Sequence, residues 1–105
     1  MLNFKKMEHH EILATACELE ETQTVIITDA ELEEQGYDSF EDWCDGDGLS
    51  DARLEWARRV EAEFEKRYKV DADDAYGEDD NGDNLRMALY DESHYYISYK
   101  HESEN

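Results

Sequence analysis

The sequence predicts an α+β fold: an antiparallel sheet of about four strands packed on one long helix, in the order β-β-α-α-α-β-β. Three observations predict it. Apolar residues alternate near both ends of the chain, capping residues precede helically spaced apolar residues in the middle, and aromatics are spread through both regions.

Residues 11–17, Glu11-Ile12-Leu13-Ala14-Thr15-Ala16-Cys17, and residues 22–28, Thr22-Gln23-Thr24-Val25-Ile26-Ile27-Thr28, read as two strands joined at Glu20-Glu21. Residues 7–19 also admit a helical reading. Asp29 caps a helical turn over residues 30–35 that Gly36 closes. Ser39 caps a second over residues 40–44, closed by Gly46, with Asp42 at capping-box distance. Ser50 precedes Asp51, and Leu54, Ala57, Val60, Phe64 and Tyr68 then recur at helical spacing, so residues 51–69 form the main amphipathic helix. Its outer face mixes Glu55, Arg58, Arg59, Glu63, Lys66 and Lys69, with ion pairs expected at Glu55–Arg59 and Glu65–Lys69. Residues 71–84 form an apolar-poor loop broken by Gly77 and Gly82. Residues 85–90 and 94–100 complete the sheet, because Met87 and Leu89, then Tyr95, Ile97 and Tyr99, alternate as strand residues do. No proline interrupts these elements, and 105 residues suit a single domain, 1–105.

Thirty acidic and ten basic side chains give a net charge of −20. Nucleic acid and anionic membranes repel such a chain, while basic partners are drawn to it. Seven Tyr, three Phe and two Trp at regular spacings argue against a disordered acidic tail. The first residues run into Glu8-His9-His10-Glu11 without an apolar stretch, from which a cytoplasmic protein with no membrane segment is expected. Cys17 and Cys44, without a CxxC spacing, are expected to be reduced thiols.

Motifs for catalysis or cofactors are not found. The run Asp45-Gly46-Asp47-Gly48-Leu49-Ser50-Asp51 resembles the centre of a calcium loop, but aligning Gly48 with the turn glycine puts Trp43 and Leu54 where carboxylates are required. A zinc-protease helix starting at His10-Glu11 needs a histidine at position 14, which is Ala14; His94 and His101 are isolated. No nucleophile elbow, phosphate loop or dinucleotide fingerprint occurs, so neither an enzyme nor a cofactor is expected. Tyr90, Tyr95, Tyr96 and Tyr99 lack the positive groove of a base-stacking platform, with only Arg86 and Lys100 nearby. They read as core and protein-contact residues.

The acids are segregated. Residues 8–52 carry fifteen acids and no Lys or Arg, and residues 70–85 carry seven acids and no base. The candidate partner-binding residues come from these blocks. Glu31, Glu33, Glu34, Asp38, Glu41, Asp42, Asp45, Asp47 and Asp51 fall on short capped helices and tight turns. Asp71, Asp73, Asp74, Glu78, Asp79, Asp80 and Asp83 fall in the loop. Duplex DNA presents about one charge per 1.7 Å, and ordered rows of carboxylates can occupy the Lys/Arg stripe that grips it. In size and charge the whole chain resembles the small acidic DNA-mimic inhibitors of the anti-restriction and anti-CRISPR kind. That resemblance implies a basic protein or nucleoprotein complex as partner. Two other classes are weighed beside it. An immunity protein or antitoxin would use a focused hot spot, with Trp43 and Trp56 as anchors. A salt-adapted or merely soluble protein would spread acids over every face, including that of the long helix.

Overall fold

The structure, a computed structural model, describes residues 4–19, 23–78, 82 and 84–104. Much of what alternation assigns to sheet is helical. Glu8 and Glu11 open the first helix, α1 (His9–Cys17), where the Glu11 carboxylate accepts from the Glu8 N–H at 3.1 Å. Ile12 and Ala16, four residues apart, are both fully buried, which is the helical period and not the strand period. The strand expected at residues 11–17 is therefore corrected to a helix.

The uncharged, β-branched run that follows does form a strand, β1 (Gln23–Ile27). Thr28 caps α2 (Asp29–Gln35), which ends on left-handed Gly36, and Ser39 caps α3 (Phe40–Asp45). The main helix, α4 (Asp47–Tyr68), starts earlier than its Ser50 signal suggests, directly after Gly46, which caps α3 and α4 together. Lys69 ends it in the left-handed conformation (φ 56°).

Residues 71–84, read as a loop, hold a short helix, α5 (Ala72–Tyr76). The Asp71 carboxylate nucleates it by accepting from the N–H groups of Asp73 and Asp74 at 2.9 and 3.4 Å. Residues 85–90, read as a strand, belong to α6 (Leu85–Glu92), capped by Asn84, whose side chain accepts from the Met87 N–H at 3.0 Å. Leu85, Ala88 and Leu89 carry the buried stripe, while Met87, the residue that suggested alternation, is exposed. The last strand, β2 (Ile97–His101), is shorter than the expected 94–100 segment at its start, where residues 93–95 form a 3-10 turn.

Among the described residues the sheet has two strands, not four. They are parallel: β1 pairs with β2 in the register Gln23↔Ile97 through Ile27↔His101. The expected antiparallel sheet rested on two hairpins, and α1 and α6 occupy the first strand of each.

Two apolar clusters lie along α4. The larger contains Ile12, Trp56, Val60, Phe64, Leu85 and Leu89; the smaller contains Ile27, Leu32 and Trp43. At 1.5 Å per residue the 22 residues of α4 span about 33 Å. The body is accordingly elongated, 47 × 25 × 19 Å, with a radius of gyration of 15.7 Å. A compact chain of this length would have about 13 Å. Among the described residues no helix is long and apolar enough to cross a membrane.

Candidate protein-interaction surface

Local capping sets the first acid block in place. Thr28 Oγ1 accepts from the Glu31 N–H at 3.2 Å, and Ser39 Oγ accepts from the Asp42 N–H at 3.1 Å. Acids in the first turns of α2, α3 and α4 also oppose the positive ends of those helix dipoles, so each favours the helix that carries it. Glu31, Glu33 and Glu34 stand exposed on α2, and Asp38 in the turn that follows. Glu41, Asp42 and Asp45 stand exposed on α3, and Asp47 and Asp51 on the first turns of α4. None of these nine makes an ion pair among the described residues.

The second block lies beyond the other end of α4. Asp71, Asp73, Asp74 and Glu78 are exposed at and after α5. Asp79, Asp80 and Asp83 lie outside the described residues. The first candidate block thus reaches onto the first turns of α4, and the second begins just past its other end.

Between them, α4 presents Arg58, Arg59 and Lys66 to solvent, with Lys69 exposed at its end. The expected pairs Glu55–Arg59 and Glu65–Lys69 are not formed. Glu65 accepts instead from the Ala72 N–H at 2.8 Å, securing the start of α5, and the pair found on this helix is Glu63–Arg67 at 3.4 Å. Glu61 was not singled out by sequence reasoning, yet it is only 8% exposed and binds the Arg86 guanidinium through one oxygen at 2.7 and 3.2 Å.

A second group missed in the sequence ties the end of the chain to the first acid block. The Ser103 main-chain nitrogen lies 3.2 Å from His101 Nδ1. Nε2 meets the Asp29 carboxylate at 2.7 Å, and the Ser103 hydroxyl lies 2.7 Å from Nδ1. The order hydroxyl, imidazole, carboxylate is that of acyl-transfer triads. The surrounding cavity, about 500 Å³, is however lined by Asp38, Glu41 and Glu104, whose charges oppose a developing oxyanion. The cluster acts as a clamp that brings Glu102 and Glu104 beside α2 and α3; Glu102 also accepts from the Asp29 N–H at 3.3 Å. Had the parallel register been legible, Ile27↔His101 would have revealed it.

The thiols are free, and neither is activated. Burial pushes Cys17 up, with Glu92 adding to it and a hydrogen bond with Tyr96 opposing it. Burial and the charges of Asp45 and Glu104 push Cys44 up. Among the described residues no three His, Cys, Asp or Glu side chains are arranged to hold a metal ion.

The aromatics divide sharply. Trp43 and Trp56 are 1% and 0% exposed, each inside one of the two cores, whereas Tyr95 is 67% exposed. Comparison of the chain with protein-family models, curated proteins and solved structures gave no match.

Proposed function

We propose that the chain is a DNA-mimic inhibitor that occupies the basic nucleic-acid-binding surface of a nuclease or nucleoprotein complex, such as those of host defence. The observation that carries this reading is the field of nine exposed carboxylates from Glu31 to Asp51, set on α2, α3, the turn between them and the start of α4, and unpaired with any described cation. Repulsion within such a field costs stability, and a partner's Lys and Arg side chains would offset it. The second block supports the same reading through its distance. About 26 Å of α4 lies between Asp51, the last acid of the first block, and Tyr68, just before the second, so the two blocks could meet cations that grip well-separated phosphates.

The elongated body is in keeping with this: 47 Å matches about 14 base pairs at 3.4 Å each. The hot-spot alternative is weakened, because Trp43 and Trp56 are core residues and cannot anchor a partner without unfolding a cluster. Uniform acidity is weakened by the solvent-facing cations of α4.

The reading is tested by association rates with an isolated basic partner. Variants carrying amide replacements at Glu33, Glu34, Asp38 and Glu41, or at Asp71, Asp73 and Asp74, should each associate several-fold more slowly at low salt, with the combined variant slower again. Rates that are unchanged in both variants would overturn it.

A further inference from the structure

Asp51 of the field and Glu55, one turn further along α4, both line a cavity. The cavity, about 360 Å³, lies between the inward face of the sheet and the first half of α4. That volume is at the small end of ligand sites, the size for a side chain or a fragment. Val25 and Ile27 of β1 and Tyr99 of β2 give it an apolar, aromatic wall, and Trp43 closes against them. The wall is rigid: Trp43 Nε1 donates to Gln35 Oε1 at 3.1 Å, and the Trp43 and Tyr99 rings stand 5.5 Å apart at 58°.

Asp51 and Glu55 line the same cavity from α4. Four residues apart, they share one face of the helix. Both are exposed, and neither has an ion-pair partner among the described residues. Anions are repelled here, and purely apolar ligands leave both carboxylates unused. A planar, weakly hydrated cation uses everything present, its forked N–H groups meeting carboxylates and its flat face meeting an aromatic ring.

We propose that the cavity takes the guanidinium of an arginine side chain, with Asp51 and Glu55 accepting its N–H groups and the Tyr99 ring against its face. That this arginine comes from the basic partner rests on the function proposed above; the site itself does not. Arg59 also lines the cavity, one turn beyond Glu55. It is a competitor built into the chain, so its removal favours the incoming guanidinium.

The test is an NMR titration of the full chain with N-acetyl-argininamide and, at equal ionic strength, N-acetyl-lysinamide. The Trp43 indole N–H should shift saturably with the arginine probe and at least several-fold more weakly with the lysine probe, while the buried Trp56 indole stays in place. The D51N/E55Q variant, checked for a dispersed spectrum, should bind about tenfold more weakly, the loss expected for hydrogen bonds to charge. Arg59→Gln should tighten binding, and Arg58→Gln, exposed on the same helix outside the cavity, should not. Absence of a saturable shift at Trp43, equal affinity for both probes, or equal effects of the two arginine variants would overturn the proposal. Because no DNA-binding partner enters this experiment, its failure leaves the mimic reading standing, and the reverse holds too.

Discussion

Gly48 lies against the indole of Trp43 so closely that a β-carbon at position 48 would stand 2.2 Å from Trp43 Cδ1 and 2.4 Å from Nε1. Retreat of the ring is opposed by Gln35, which holds its nitrogen, and by Phe40, which stacks on it at 5.7 Å. The helix therefore carries a glycine in its first turn, where other residues would favour helix formation, because the smaller core needs the space.

Gly48→Ala should destabilise the chain. Overpacking costs about 1–3 kcal/mol, partly offset by the gain of about 1 kcal/mol in helix propensity. The urea midpoint reads this directly; a midpoint equal to or above the parent's would show that Trp43 moves freely.

What could be read in the sequence followed from local chemistry. Ser39, Gly36 and the apolar spacing of Leu54, Ala57, Val60 and Phe64 each act within a few residues, and the helices they mark are present. Residues 11–17 and 85–90 are short apolar runs in which two periods compete. In each, burial at i and i+4 decided for helix, and burial is set by partners distant in the chain. The pairing of β1 with β2 joins Gln23 to Ile97, and no turn signal can specify a parallel contact across that separation. The exposure of the described candidate acids was legible because unpaired charge stays at the surface, whereas the burial of Glu61 depends on Arg86, 25 residues away. The division of the acids by α4, and the addition of Glu102 and Glu104 through His101, were not legible, since both depend on that long-range topology.

The Glu61–Arg86 pair should respond asymmetrically. The Glu61 side chain is 10% exposed and that of Arg86 is 42% exposed, so an abandoned guanidinium reaches water while an abandoned carboxylate does not. Arg86→Ala should cost about 2–3 kcal/mol, below the full value for a buried pair because Arg86 is already partly solvated, and Glu61→Gln clearly less. Equal losses in thermal unfolding would contradict this account of the pair.

Stability should fall in alkali. Cys17 is raised from the usual thiol value chiefly by burial, and Tyr99 is raised by burial as well. The folded state then holds its protons more tightly than the unfolded state. The sign follows from that: this stability is fully present below the unfolded thiol value and is lost as pH rises above about 9 and through the folded values. Cys17→Ala should flatten the urea midpoint between pH 8 and 10 relative to the parent. An unchanged slope would mean that Cys17 does not couple to folding there.

Self-repulsion makes a further prediction. With a charge of −20 and unpaired acids on α2 and α3, the melting temperature should rise with added salt. Amide replacements at Glu33, Glu34, Asp38 and Glu41 should raise it at low salt and weaken its salt dependence. A melting temperature that ignores salt in both proteins would show that the field exerts no strain on the fold.

On the proposed reading these carboxylates stand in for DNA phosphates, and competition on an isolated DNA-binding partner distinguishes it from the alternatives. Labelled duplex bound to that partner is titrated with the parent chain and with the amide variant at two salt concentrations. The parent should release the duplex stoichiometrically, less effectively at high salt, and the variant should require a much higher concentration. A ternary complex of partner, duplex and this chain, or a variant that competes as well as the parent, would contradict it.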